Sequence, residues 1–157
     1  MEPHEIDDLI SRWTQRLLLF ACQWTDFGED AVQEAFLNLY RSKTRPDDVV
    51  AWLFRATRNA ALNIRRTEAS KVRLAIAAGQ TAPKWFEPSE GDRLDIELVT
   101  EELRKLPPEL SEVVTAKIWG GLTFEQVAAA TGTSRATAHR RYNDAIATLR
   151  TRLKVDE

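Results

Sequence analysis

Apolar residues recur at steps of three and four along most of this sequence. No stretch shows the sustained apolar–polar alternation that marks a β-strand. The apolar stripe of a first helix consists of Ile6, Leu9, Ile10, Trp13, Leu17, Phe20 and Trp24. That of a second helix consists of Val32, Ala35, Phe36 and Leu39. A third helix is predicted from about Val49 to Arg66, with a buried side formed by Val49, Leu53, Ala56, Ala60 and Ile64. Short connections between the three helices predict a compact bundle.

The periodicity stops over residues 67–95, where the helix breakers are Gly79, Pro83, Pro88 and Gly91. It returns afterwards in four segments, near 96–106, 110–118, 124–130 and 134–153. The apolar face of the second of these segments is predicted to consist of Leu110, Val113, Val114 and Ile118. We therefore interpret residues 67–95 as a connection between two helical regions.

These patterns predict an all-α fold with two small helical domains joined by a flexible linker. A three-helix N-terminal bundle occupies residues 1–68, and the linker occupies residues 69–95. A C-terminal four-helix domain that contains a helix-turn-helix occupies residues 96–157. A length of 157 residues is sufficient for two small domains of this kind.

Several classes of protein are disfavoured by composition. The single cysteine, Cys22, excludes an internal disulfide and a Cys-based zinc cage, and we expect it to be a buried, inert thiol. No apolar run approaches the ~18 residues of a membrane helix, and the acidic N-terminus argues against a secretory signal. We therefore expect a cytoplasmic protein without membrane insertion. Only His4 and His139 are histidines, and no metal-ligand spacing or Gly-rich phosphate loop occurs, so we expect no enzyme, no cofactor and no metal.

Charge is distributed unevenly along the chain, although the formal net charge is only -2. Residues 1–41 carry 3 basic and 8 acidic side chains, whereas residues 42–75 carry 8 basic and 3 acidic ones. Residues 76–112 carry 4 basic and 9 acidic side chains, and residues 113–157 carry 7 and 4. Two basic blocks separated by acidic ones indicate two surfaces that face polyanions, or else chance clustering on solvated faces.

The last two helices have the local signals of a helix-turn-helix. Thr123 and Gln126 fit a capping box, Gly132 fits a tight turn with positive φ, and Ser134 is suited to cap the last helix. The exposed face of that helix is predicted to present Arg135, Thr137, His139, Arg140 and Arg141. Such a helix can place its N-terminal part in the DNA major groove, where arginine pairs with guanine. The alternative is an ordinary helical hairpin with a solvated basic face.

The second and third helices each have a polar stripe beside the apolar one. On the second helix the stripe consists of Asp30, Gln33, Glu34 and Leu37, which fits either a solvated face or a docking face for a cationic partner. On the third helix it consists of Arg55, Arg58, Asn59, Leu62, Arg65 and Arg66. Cationic side chains near Trp52 suit contact with the backbone and bases of opened DNA, although Trp52 fits a core position equally well.

These motifs together resemble the extracytoplasmic-function group of bacterial sigma factors. The segment Asp30–Phe36 resembles the second conserved region of sigma factors, and Trp52–Arg66 resembles the promoter-melting helix of the group. Leu106–Glu109 and Gly121–Ala128 resemble the start of the fourth region, and Ser134–Arg141 resembles its recognition helix. The resemblance covers both predicted domains, in the expected order.

The resemblance implies a role for each set of residues. The partners would be bacterial RNA polymerase core, through the coiled coil of its largest subunit and its flap region, and promoter DNA, with an anti-sigma factor as a further candidate. The residues implied in core binding are Asp30, Gln33, Glu34 and Leu37. Those implied in binding the minus-ten element are Arg45, Trp52, Arg55, Arg58, Asn59, Asn63, Arg65 and Arg66. Those implied in binding the minus-thirty-five element are Ser134, Arg135, Thr137, His139, Arg140 and Arg141.

Two other functions compete with an alternative sigma factor. A stand-alone helix-turn-helix regulator that binds operators as a dimer would explain residues 106–153, but it gives no role to the polar stripes of the second and third helices. A protein-binding adaptor that mimics a sigma factor would explain a docking face without promoter-dependent transcription. An operator-binding assay and a polymerase-dependent transcription assay would distinguish the three.

Overall fold

A computed structural model describes residues 1–79 and 100–153, apart from the side chains of residues 68–73 and 75. The chain divides between residues 86 and 87 into two compact units. In the first unit, α1 spans Pro3–Ala21, α2 spans Gly28–Arg41 and α3 spans Val49–Ala77. Every regular element in the described part of the chain is helical, so the predicted all-α class is confirmed.

The second unit is described from residue 100 onward. A helical segment at 100–105, here α4, is followed by α5 at Pro108–Val114 and a π-helical turn at Thr115–Trp119. The helix-turn-helix then consists of α6 at Phe124–Thr131 and α7 at Arg135–Leu153. The core of the second unit consists of Leu103, Leu106, Val114, Ala145 and Leu149.

The core of the first unit lies where all three of its helices meet. Leu17 and Phe20 of α1, Leu39 of α2 and Leu53 of α3 are almost completely buried. Phe54 of α3 is fully buried against α1. Its ring meets the rings of Phe20 and Trp13 edge-on, at centroid distances of 5.0 and 6.1 Å. The predicted apolar stripe of α2 is confirmed, since all four of its residues are buried. Phe54, which lies outside the predicted stripe of α3, is an addition to that core.

A close approach joins the end of α1 to the start of α2. A Cβ atom added to Gly28 would lie 2.5 Å from Cys22 Sγ and 3.2 Å from Leu18 Cδ1. Position 28 therefore has no room for a side chain, and glycine lets the two helices meet here. The prediction of a buried Cys22 was only half right, because this side chain is partly exposed at the end of α1.

The third helix is longer than its apolar stripe predicted. We expected an end near Arg66, but α3 continues to Ala77 and terminates before Gly79, whose φ is 73°. Leu74 and Ile76 in this extension are 71% and 68% exposed, so burial does not hold its last turns in place. The extension is rich in alanine and long unbranched side chains, whose intrinsic helix propensity accounts for it. Residues 80–95 of the predicted linker lie outside the described residues.

The π-helical turn corrects the predicted orientation of Ile118. α-Helical spacing from Val114 places Ile118 on the core side, but it is 49% exposed, and Trp119 packs against the core instead. Gly120 N donates to Thr115 O at 3.0 Å, which closes a ring one residue larger than that of an α-helix. The inward face is therefore shifted by one position, from residue 118 to residue 119.

Candidate protein and nucleic-acid interfaces

The helix-turn-helix is fixed by short-range hydrogen bonds at each of its ends. Gln126 N donates to Thr123 Oγ1 at 3.1 Å and Thr123 N donates to Gln126 Oε1 at 2.9 Å, so the predicted capping box is present. Gly132 ends α6 with φ of 69°, in the left-handed region that favours glycine. Thr137 N then donates to Ser134 Oγ at 3.1 Å, which confirms Ser134 as the cap of α7.

Small and aromatic side chains hold α6 against α7. Val127 and Ala138 are fully buried at the crossing. The Phe124 ring meets the rings of Tyr142 and His139 edge-on, at centroid distances of 5.4 and 4.9 Å. In addition, the Nδ1 atom of His139 lies 3.3 Å from the Nδ2 atom of Asn143. The predicted DNA-binding residue His139 is therefore exposed to solvent and also takes part in the packing that orients α7.

The N-terminal part of α7 presents the predicted basic face. Ser134, Arg135, His139 and Arg140 are exposed, and Thr137 and Arg141 are half-buried. Arg135 and His139 are one turn apart, and so are Thr137 and Arg141; the two pairs occupy two edges of the face, with Arg140 between them. Among the described residues, no carboxylate forms an ion pair with Arg135, Arg140 or Arg141. Arg135 and Arg140 are also exposed to solvent, as contact with a polyanion requires.

The polar stripe of α2 lies at the surface as predicted. Asp30, Gln33 and Glu34 are exposed, and Leu37 is 49% exposed although it is a large apolar residue. A groove of about 580 Å³ between α1 and α2 continues from this stripe, with Gln33, Leu37 and Tyr40 among its lining residues. An acidic stripe with an exposed leucine at the mouth of an apolar groove has the composition of a protein-binding surface.

The basic stripe of α3 divides into an outer face and an edge. Arg55, Asn59, Asn63 and Arg66 are exposed, and Trp52 is half-buried rather than part of the core. On one edge, the guanidinium carbons of Arg58 and Arg65 lie 5.4 and 5.2 Å from the centroid of the Trp24 ring. Trp24 was absent from our predicted site, because sequence spacing gives no indication that residue 24 contacts residues 58 and 65.

The loop before α3 brings Arg45 to the first helix. Arg45 Nη1 lies 3.3 Å from Glu5 Oε1 in an exposed ion pair. The loop ends where Asp48 caps α3, since Ala51 N donates to Asp48 Oδ1 at 3.0 Å. Arg45 is thus exposed on the loop, as a DNA-binding role requires, but a carboxylate of α1 is already its partner.

Neither a metal centre nor a membrane span occurs in the part of the chain that the structure describes. Within residues 1–79 and 100–153, no three or more His, Cys, Asp or Glu side chains are grouped so that they could hold a metal ion. Among the helices in these ranges, none combines the length and the apolar composition of a membrane span.

Comparison with known families assigns both units. Residues 9–71 match the family model described as Sigma-70 region 2, which covers most of α1, all of α2 and most of α3. Residues 96–149 match the family model described as Sigma-70, region 4, which includes the helix-turn-helix. No curated protein matches the chain. The two matches, in this order and on two all-helical units, support a role in promoter recognition. The chain belongs to the extracytoplasmic-function type of the sigma-70 family of sigma factors.

Proposed function

We propose that this chain is an alternative sigma factor that binds RNA polymerase core in the cytoplasm and directs promoter recognition, DNA melting and transcription initiation. One observation carries the proposal: the first unit presents an exposed acidic face on α2 and a basic face on α3. A DNA-binding module needs only the basic face, whereas a subunit that joins DNA to a cationic protein partner needs both.

The α2 face would bind the coiled coil of the largest polymerase subunit. Asp30 and Glu34 lie one turn apart and supply negative charge, while Gln33 supplies hydrogen bonds and Leu37 an apolar contact. The negative charge would favour a cationic helix and disfavour DNA on the same face. A cognate anti-sigma factor would be expected to compete for surfaces of this kind.

The α3 face and its preceding loop would bind the minus-ten element. Arg55 and Arg66 are suited to phosphates, Asn59 and Asn63 to base edges, and the half-buried Trp52 to stacking with an unpaired base. Arg45 would approach the strand from the loop. Unstacking costs a few kcal/mol per base step, and capture of the extruded bases would offset this cost. Bond formation would belong to the polymerase, so the chain itself would perform no chemistry.

The second unit would bind the minus-thirty-five element as duplex DNA and contact the flap region of the polymerase. The α7 residues proposed for the DNA contact are Ser134, Arg135, Thr137, His139, Arg140 and Arg141. Arginine donates two hydrogen bonds to one guanine, whereas serine and threonine also bind phosphates, so this set can combine base recognition with positioning. The two domains proposed from the sequence, residues 1–68 and 96–157, would then correspond to the two promoter elements.

Transcription in vitro tests the proposal as a whole. Core polymerase would be combined with this protein and fragmented genomic DNA, and the 5′ ends of the transcripts would be sequenced. We expect discrete start sites that require the protein and share two upstream elements. Core binding measured in parallel separates the alternatives: core binding without transcription would favour a sigma-mimicking adaptor, and loss of both would favour an operator-binding regulator.

A variant of α2 tests the docking face separately. Glu34→Lys reverses an exposed charge, and we expect it to abolish core binding while the helical circular dichroism and the melting temperature stay unchanged. Asp7→Lys is the matched control, since it also reverses an exposed negative charge in the first unit but lies outside both the stripe and the adjoining groove. Equal core affinity of Glu34→Lys and wild type would refute the assignment of this face.

A further inference from the structure

Trp24 occupies a fixed position between the first two helices. It follows the end of α1, and its backbone N donates to Ala21 O at 3.0 Å. Its side chain is only 9% exposed. Because the backbone and most of the ring are constrained, the ring is a stationary surface against which other side chains can be ordered.

Both arginines on one edge of α3 meet that surface. Arg58 and Arg65 are seven residues apart, so a rise of about 10.5 Å separates their backbones, and Trp24 contacts both guanidinium groups. The distances of 5.4 and 5.2 Å lie within the range of cation–π attraction, which extends to about 6 Å. One residue far away in sequence is thus in contact with two members of the proposed DNA-binding set.

We infer that Trp24 is a positioning residue that orders Arg58 and Arg65 for contact with DNA, an inference that rests on the proposed function of α3. A free arginine side chain samples many rotamers, and this freedom is lost when the side chain binds a phosphate. A cation–π contact uses the face of the guanidinium group and none of its N–H donors. Because the contact with Trp24 already restricts the two arginine side chains, they lose less conformational entropy when DNA binds.

A second tryptophan–arginine contact in the same unit is arranged differently. Arg16 lies over the Trp13 ring at 4.9 Å, but both residues belong to α1. Trp13 touches α3 through the buried Phe54 and thus stabilises that helix from its core side. Trp13 is accordingly a matched control, because its replacement removes an indole ring and packing against α3 but leaves both contacts of Trp24 in place.

Equilibrium promoter opening by the full chain with core polymerase tests the inference. Trp24→Leu retains an apolar side chain without a ring, and Trp24→Phe retains a ring. We expect Trp24→Leu to reduce the amount of open complex by about three- to tenfold, and Trp24→Phe to retain most of the wild-type amount. Core affinity should stay unchanged in both variants, and Trp13→Leu should open DNA as wild type does at temperatures where it is folded.

The decisive comparison places Trp24→Leu in an Arg58→Ala/Arg65→Ala background. If Trp24 acts through these arginines, Trp24→Leu will not reduce the open complex any further in this background. An undiminished reduction would mean that Trp24 acts through general packing, and it would overturn the inference. Wild-type opening by Trp24→Leu would overturn it as well. Wild-type opening by Arg58→Ala/Arg65→Ala would instead refute the proposed DNA role of the two arginines, and the inference with it.

Discussion

The two helices proposed to contact DNA, α3 and α7, are oriented in different ways. The start of α7 is fixed by nearby residues: the capping box of α6, the turn at Gly132 and the cap at Ser134 all lie within twelve residues of chain. By contrast, a local cap at Asp48 sets only the start of α3, and the contacts on its two faces come from residues far away in sequence. Phe20 packs against Phe54 inside the core, and Trp24 meets two arginines at the surface.

This difference is consistent with the division of tasks that we propose for the two units. A recognition helix that reads duplex DNA needs one orientation, which local caps and a short turn provide. A helix that takes part in strand opening has to hold its cationic face in place while unpaired bases are captured. Contacts from two other segments of the chain provide that support. Removal of a distant contact should therefore disturb the basic face of α3, whereas removal of a cap of the helix-turn-helix should lower only the local stability around the start of α7.

The largest expected effect comes from the core side of α3. Phe54→Ala removes a fully buried ring that packs against Phe20 and Trp13, and we expect a loss of about 3–5 kcal/mol in the free energy of unfolding of the first unit. Urea denaturation measures it. Leu74→Ala is the control on the same helix: at 71% exposure it should change stability by less than about 0.5 kcal/mol. Equal stability of the two variants would mean that α3 does not depend on the core.

A second comparison contrasts base recognition with phosphate binding. We expect Arg135→Ala or Arg140→Ala to cost about 1–3 kcal/mol at one base pair of the minus-thirty-five element, because a bidentate contact to guanine is lost. Arg55→Ala or Arg66→Ala should weaken binding equally on all sequences and reduce the salt slope by about one. Affinities for a set of single-base variants of the promoter, at several salt concentrations, distinguish the two patterns. Uniform losses for the α7 variants would assign their contacts to phosphate.

The same contrast explains what the sequence could and could not predict. Thr123, Gly132 and Ser134 were predicted correctly because each acts on residues no more than five positions away. The apolar stripe of α2 was predictable for the same reason. Phe54 and Trp24 act across 30 residues or more, and helical spacing carries no information about which side chain from another helix they meet.

Errors at two other positions have local causes that periodicity does not capture. The expected face of Ile118 assumed α-helical spacing, and the π-helical turn shifts that face by one residue. The end of α3 was placed where the apolar stripe ends, but helix propensity extends it to Ala77. Most of the residues predicted to contact polymerase and DNA are exposed, whereas Trp52, Arg58, Thr137 and Arg141 are half-buried. The contacts of all of them remain predictions.

A smaller effect is expected from the local caps of the helix-turn-helix. Thr123→Ala removes the hydroxyl that accepts from Gln126 N, and we expect a loss of about 1 kcal/mol in stability. Thr123→Ser keeps the hydroxyl and should retain most of the wild-type stability. Thermal unfolding measures both, and duplex binding at a temperature where the variant is folded should show little change. A large loss of duplex affinity with unchanged stability would mean that Thr123 contacts DNA directly.

The smallest expected effect concerns Arg45, the proposed DNA contact whose partner in the free protein is Glu5. The ion pair is exposed, so Glu5→Gln should change stability by less than about 0.5 kcal/mol. The same substitution removes a competitor for Arg45, and we expect the affinity for single-stranded minus-ten DNA, measured by fluorescence anisotropy, to rise by about twofold. Asp8→Asn is the matched control, since its partner is Arg12 within α1. If both variants raise the affinity equally, the gain reflects net charge alone; if neither does, Glu5 does not compete with the DNA strand for Arg45.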